Sequence, residues 1–287
     1  MSLEGTLGKD EQGFHQLTEK VSRERGISCG SYKEKCLRRR IAVRMRARGV
    51  HSYADYARLL DRDAGEYQEL LDALTINVTK FFRNAETWDA LRPYLVELWA
   101  ARRREGEPLR IWSAGCASGE EPYTIAVLLA EILGEDLRRS FIDATDIDRL
   151  SLERTRQAQY PETAFSEMPV HLKRRYFVDG RPVARIGEVV RVLHHDLTRE
   201  PPPRSVYDLI VCRNVAIYFE RDAQERLYGT FATALPPGGA LLLGKVETLF
   251  GPARERLTLL DPRERIYVKP IGKASAHLSG TERMGEA

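Results

Sequence analysis

Leu109-Arg-Ile-Trp-Ser-Ala-Gly-Cys-Ala-Ser-Gly-Glu-Glu-Pro-Tyr123 is the stretch that decides the fold. Apolar Leu109, Ile111 and Trp112 predict a strand. The small residues around Gly115 and Gly119 predict a turn, and Glu120, Glu121 and Pro122 fit the first turn of a helix. Glycines at such a turn let a ligand approach the backbone, and the unpaired N–H groups of a helix start attract its anionic parts. The Gly-x-x-x-Gly spacing is not the dinucleotide Gly-x-Gly-x-x-Gly. No Gly-Lys-Ser/Thr follows it, which excludes a P-loop. Two glutamates at the mouth suit a cationic ligand better than a triphosphate. A nucleoside with a positive centre fits, and S-adenosylmethionine is the common one.

Outward from this stretch, apolar segments at 109–113, 141–145, 209–212 and 240–243 alternate with amphipathic ones at 123–133, 150–158 and 223–234. Such alternation predicts a parallel sheet covered on both faces, with the ligand at the carboxyl ends of its strands. Residues 183–192, with Gly187 among them and Gly180 just before, read as part of a short hairpin inserted at about 177–197. Upstream, no strand is expected between Phe14 and Trp99. Tyr53, Tyr56, Leu59 and Leu60, then Tyr67, Leu70, Leu71 and Leu74, recur at helical spacing. The expected organisation is therefore a flexible start (1–13), a helical domain (14–90), a sheet domain (91–272) entered through a charged linker at 101–108, and a flexible tail (273–287).

A chain of 287 residues can bury a full core in two units. No apolar run is long enough to span a bilayer and the N-terminus lacks a signal pattern, so a cytoplasmic location without membrane insertion is expected. Cys29, Cys36, Cys116 and Cys212 lack Cys-x-x-Cys spacing, so neither a zinc site nor a disulfide framework is indicated, and no metal is expected. The formal net charge of +3 is too small to imply nucleic acid. Its distribution is more telling. Between Tyr32 and Arg48, Leu37, Ile41 and Met45 form an apolar stripe four residues apart, and Arg38, Arg39, Arg40, Arg44, Arg46 and Arg48 cover the rest. That face is either simply solvated or a dock for an acidic helical partner or for nucleic acid, and the absence of interleaved aromatics disfavours a single-strand groove.

Several residues stand where chemistry is expected. Asp146, the first acid after the second strand, suits ribose hydroxyls, although it could merely cap the next helix. Arg213 and Asn214 end the run Tyr207-Asp-Leu-Ile-Val-Cys and must face the cleft or solvent. An arginine there can hold a carboxylate through two parallel bonds, with Tyr218 close by. His194 and His195 are adjacent on a strand-like segment and point to opposite faces, so they do not chelate together. Asp196 and Leu197, at its end, could flank an adenine ring.

Five motifs in order then make the chain resemble the chemotaxis receptor methyltransferases of CheR type: Thr75-Ile-Asn-Val-Thr-Lys-Phe-Phe-Arg83, Trp112-Ser-Ala-Gly-Cys-Ala-Ser-Gly-Glu-Glu-Pro-Tyr123, Ala144-Thr-Asp-Ile-Asp148, Leu172-Lys-Arg-Arg-Tyr-Phe177 and Cys212-Arg-Asn-Val-Ala-Ile-Tyr-Phe219. The resemblance implies a Rossmann-like class I methyltransferase sheet with an inserted β subdomain and an all-helical N-terminal domain. It implies methyl transfer from S-adenosylmethionine to receptor glutamate carboxylates, leaving S-adenosylhomocysteine. Asn77, Thr79, Arg83, Gly115, Glu121, Asp146, Asp196, Leu197, Arg213 and Asn214 would contact the cofactor. Arg213 and Tyr218 would present the acceptor carboxylate, and Arg38, Arg40, Arg44 and Arg46 would dock the cytoplasmic helices of the receptor.

Two departures accompany the resemblance. Gly244-Lys-Val-Glu247 replaces the family's common Gly-His-Ser-Glu, and the inserted hairpin looks shorter than in members that bind a receptor's C-terminal peptide. A peptide-independent enzyme is therefore expected. The rival readings are the same cofactor with a nucleic acid or small molecule as acceptor, and a non-catalytic adaptor that docks through the basic helix.

Overall fold

Residues 3–75 and 79–271 are described by the computed structural model. Helices α1 (Leu3–Arg25), α2 (Glu34–Ala47), α3 (Tyr53–Arg62) and α4 (Ala64–Leu74) form the N-terminal bundle. Its core is made by the apolar stripes of those helices: Phe14, Leu17 and Val21, then Leu37, Ile41 and Met45, then Tyr56 and Leu60, then Tyr67, Leu70 and Leu74. Ser52 and Asp63 cap α3 and α4 by accepting from the N–H groups of Asp55 and Glu66. The start of the chain differs from expectation, because α1 already begins at Leu3. Glycines there weaken the helical signal, yet a Cβ at Gly13 would stand 3.3 Å from that of Tyr53. Close approach of α1 to α3 therefore favours the smallest residue at that position.

Helix α5 (Ala85–Glu105) absorbs most of the segment expected to be a linker and stops at Gly106, whose φ is +73°. Its buried face of Trp88, Leu91, Leu95 and Trp99 packs on the sheet core, not on the bundle. Beyond it come β1 (Leu109–Ala114), α6 (Glu120–Leu133), β2 (Ser140–Asp146), α7 (Arg149–Gln157), α8 (Val170–Tyr176), β3 (Phe177–Val178), β4 (Arg181–Pro182) and α9 (Ala184–Gly187). Then follow β5 (Val190–His194), β6 (Leu209–Cys212), α10 (Arg221–Ala234), β7 (Ala240–Leu243), α11 (Ala253–Arg256), β8 (Thr258–Asp261) and β9 (Ile266–Val268).

The main sheet runs β5-β2-β1-β6-β7-β9-β8. Its first five strands are parallel, while β9 and β8 run antiparallel. The central strands β6 and β7 are buried at every position, as a sheet covered on both faces requires. Two expectations change. The sheet is mixed, because β8 and β9 add a hairpin whose outer strand is largely exposed and carries no buried run to announce it. Residues 190–194 belong to this sheet as edge strand β5, pairing Asp146 with His194, so the inserted hairpin shrinks to β3 and β4. Val190 and Val192 pack near Cys116, Ala144 and Leu152, which gives that edge its apolar partner.

Candidate functional site

The strand order reverses around β1, whose neighbours are β2 and β6, so the turns after these strands diverge and leave a cleft. The turn after β1 forms its floor. Gly115 has a φ of +84°, and a Cβ there would lie 2.4 Å from a methyl of Val215, so only glycine fits. The N–H groups of Gly115 and Cys116 both donate to the Thr145 carbonyl, tying this turn to β2. At the end of β2 the Asp146 carboxylate accepts from the N–H groups of Ala117 and Asp148, each at 2.9 Å. Desolvation in the cleft still outweighs those bonds and pushes its pKa up to about 6. Glu121, in the first turn of α6, accepts from the Ser113 hydroxyl at 2.8 Å. Burial raises its pKa as well, opposed chiefly by Arg213, whose Nη1 stands 3.9 Å from Glu121 Oε2.

Arg213 leaves the end of β6 with its side chain 4% exposed. Its Nη2 donates to the Arg83 carbonyl and to Asn84 Oδ1, both at 3.0 Å, and the guanidinium lies over the Trp88 ring. The fork therefore fastens the chain between the bundle and the sheet domain as well as facing the cleft. Among the described residues its buried Nε has no hydrogen-bond partner. Asn214 follows with a φ of +61°, and Tyr218 borders the cleft further along. After β5, Asp196 accepts from the backbone N–H and hydroxyl of Thr198 and from the Ser28 hydroxyl at 2.7 Å, and Leu197 lies beside it on the cleft wall. His195 is buried edge-on to Trp112 with Nε2 2.8 Å from the Pro201 carbonyl, whereas His194 is exposed, so the pair is split.

Thr79 and Arg83 line the cleft, while Asn77 lies outside the described residues. The segment between them and α5 is anchored in the sheet domain. Phe81 stacks on Phe165 with ring centres 4.7 Å apart, and the Phe82 N–H donates to the Thr124 hydroxyl. Sequence reasoning missed Tyr32, which lines the cleft and meets Phe219 edge-on at 5.0 Å. Burial, with Asp146 and Asp196 nearby, pushes its phenol pKa far up. Around it the Lys33 N–H donates to the Tyr218 carbonyl, Lys33 Nζ to that of Ile217, and the Glu220 N–H to that of Ser31. No local signal marks Tyr32, because its partners lie far along the chain.

The four arginines expected to dock a partner separate in the structure. Arg40 is buried, its Nη1 donates to the Leu74 carbonyl, and its guanidinium lies 4.4 Å from the Tyr218 ring centre. It cannot touch a partner at the surface, because its position on the helix turns it inward, onto Leu74 and Tyr218. Arg44 is engaged by Glu66 and Glu69, and Arg38 by Glu11 and Glu34. Arg46 is exposed, as is the neighbouring Arg39.

Opposite charges line one cleft. Asp146, Asp196 and Glu121 border it together with Arg83 and Arg213, and Glu121 faces Arg213. The partnerless Nε of Arg213, the carboxyl of Glu121 held without a full ion pair, and the glycine cradle all fit a zwitterionic nucleoside with an added positive centre. This sheet and this cleft are those of a Rossmann-like, S-adenosylmethionine-dependent methyltransferase.

Comparison with known proteins narrows the class. Residues 77–264 match the family model described as CheR methyltransferase, SAM binding domain, and residues 12–75 the CheR methyltransferase, all-alpha domain. The chain is 36% identical over 245 residues to chemotaxis protein methyltransferase 2 of Pseudomonas aeruginosa, covering 82% of this chain and 86% of that protein. It is 31% identical over 264 residues to the chemotaxis protein methyltransferase of Escherichia coli, covering 88% and 90%. The corresponding protein of Listeria innocua is 32% identical over 255 residues, covering 88% and 95%. The chain belongs to the CheR methyltransferase family. None of its described helices is long and apolar enough to cross a membrane.

Proposed function

We propose that the enzyme transfers the methyl group of S-adenosylmethionine to glutamate side-chain carboxylates of chemotaxis receptors, giving methyl esters and S-adenosylhomocysteine. The observation that carries this reading is a single cleft lined by Asp146, Asp196 and Glu121 together with Arg213 and Tyr218, with Glu121 3.9 Å from the Arg213 guanidinium. Asp146 accepts from the ribose hydroxyls, Asp196 and Leu197 flank the adenine, and Glu121 faces the ammonium of the methionine part. Thr79, Arg83, Gly115 and Asn214 complete that wall, together with Asn77.

The cofactor supplies an electrophilic methyl on a sulfonium. A glutamate carboxylate, with an ordinary pKa of about 4.3, is already an ionised nucleophile at neutral pH, so no general base is needed. In the transfer itself Arg213 and Tyr218 hold that carboxylate in line with the methyl. Joining an anion to a cation cancels two charges, and a dry cleft favours such a step.

The partner in this reading is the helical cytoplasmic domain of the receptor, met by the outward face of α2 through Arg39, Val43 and Arg46, which are exposed. A hairpin of only two residues per strand offers little edge for a receptor tail, which supports action without a C-terminal tether. The test is incubation with radiolabelled cofactor and a receptor cytoplasmic fragment, with and without its tail. Base-labile label on the fragment at equal rates in both cases is the expected result. Label on nucleic acid, or none on the receptor, would reject the acceptor. Saturable tail-dependent stimulation would reject only the independence.

A further inference from the structure

We propose that Glu247 is a positioning residue for the acceptor half of the cleft, a role that rests on Arg213 and Tyr218 presenting the carboxylate. Strands β6 and β7 are parallel neighbours in register from Leu209 opposite Ala240 to Cys212 opposite Leu243. Their carboxyl ends therefore leave the sheet side by side. One turn carries Arg213, Asn214 and Tyr218, and the other carries Gly244 to Glu247. The second turn is tight, closed by the Glu247 N–H donating to the Gly244 carbonyl at 2.8 Å. That folds the Glu247 side chain back under the first turn, where only 2% of the residue is exposed.

There its carboxylate collects four backbone N–H groups. Oε2 accepts from Gly244 at 2.6 Å and from Asn214 at 2.9 Å. Oε1 accepts from Val215 at 3.0 Å and from Ile217 at 3.4 Å. Three of the four donors belong to the turn between Arg213 and Tyr218. Among the described residues Glu247 forms no ion pair, so peptide dipoles carry the stabilisation of a buried charge, a costly arrangement to keep for packing alone. The same bonds hold Asn214 in the left-handed conformation, in the turn that joins Arg213 to Tyr218. Gly244 is part of the device. A Cβ there would lie 2.7 Å from Glu247 Oε2 and 2.9 Å from the Asn214 nitrogen.

Geometry specifies a carboxylate over an amide. Among the described residues both oxygens face only donors, so a glutamine in either orientation sets its NH2 against two N–H groups. The turn must then shift, and a displacement of about 1 Å at the reacting groups costs on the order of 10²-fold in rate.

The test is E247Q, measured for turnover with a receptor fragment, for affinity for S-adenosylhomocysteine by calorimetry, and for thermal unfolding. The expected result is kcat lowered roughly 10²-fold, with product affinity changed less than about fivefold and a cooperative melt retained. Turnover within about twofold of the parent would overturn the proposal. So would parallel losses of turnover, product affinity and melting temperature, because that pattern is general destabilisation. If E247Q does not melt cooperatively, E247D keeps the charge but draws it back by one methylene, and the same split is expected of it. R213A and Y218F separate this proposal from the reading beneath it. If both retain full turnover, the acceptor site lies elsewhere. If both are impaired while E247Q and E247D are not, only the role of Glu247 fails.

Discussion

The floor of the cleft and the wall laid against it are built in opposite ways. The floor is local: Gly115, Asp146 and Arg213 each stand within a residue or so of the end of a central strand. Sheet register then brings them together. The wall is assembled over long distances: Ser28 reaches Asp196, Lys33 reaches the carbonyls of Ile217 and Tyr218, and Arg40 lies on the Tyr218 ring. The floor thus carries chemistry that a short motif can specify. The wall depends on two domains docking correctly, and damage there spreads over stability, cofactor affinity and alignment together.

The largest effect is expected where floor and wall meet. R213A should lower methyl transfer by about 10³-fold or more while leaving cofactor binding measurable by calorimetry. Near-normal turnover would show that the wall alone aligns the acceptor. A floor-side change, D146N, should weaken cofactor affinity between about 10- and 100-fold, the loss of charged hydrogen bonds to the ribose, and should lower the melt of the empty protein modestly, because its NH2 meets the N–H of Ala117 or Asp148. If affinity is unchanged, the nucleoside is held by the wall.

Asp146 also makes the floor pH-sensitive. Its pKa, pushed up to about 6 by desolvation, lies above the ordinary carboxylate value of 3.8. The protonated form therefore stabilises the empty fold, fully so below about pH 4, and that contribution is lost as pH rises through about 6. Cofactor binding runs the other way, since the positive ligand and its hydroxyls need the ionised carboxylate. Affinity should fall by up to about tenfold per pH unit below 6 and level off above 7, and D146N should flatten that slope. An unchanged slope in D146N would assign the titration to another group.

The smallest effects compare two arginines of α2. R40A removes a buried guanidinium from the Tyr218 ring and the Leu74 carbonyl and should cost about 2 kcal/mol of stability, read from denaturant unfolding, together with some turnover. R46A should leave stability within about 0.5 kcal/mol and raise KM for the receptor a few-fold, with a weaker salt dependence. Equal behaviour of the two variants would erase the distinction between the inner and outer faces of that helix.

The division between floor and wall also marks what was legible beforehand. Residues 209–212 and 240–243 read as strands and are β6 and β7, because a strand buried on both faces must be a continuous apolar run. Strands β5 and β8 carry no such run, because edge strands keep an exposed face, and β9, though buried, is only three residues long. The apolar stripe of Leu37, Ile41 and Met45 was legible from its spacing. Spacing says nothing, however, of which neighbouring arginines face a second domain, so the sequence does not distinguish buried Arg40 from exposed Arg39 and Arg46.

Sequence alone determined the strand-turn-helix with its glycines, the acids and the arginine at the strand ends, and the family to which these motifs belong, because backbone conformation and side-chain chemistry at such turns are set by immediate neighbours. Tertiary structure decided that Tyr32 and Ser28 join the cleft, that Arg40 turns inward, and that Glu247 gathers the turn after β6. Those contacts depend on how two domains and two parallel strands lie against each other, a quantity that no single segment of the chain encodes.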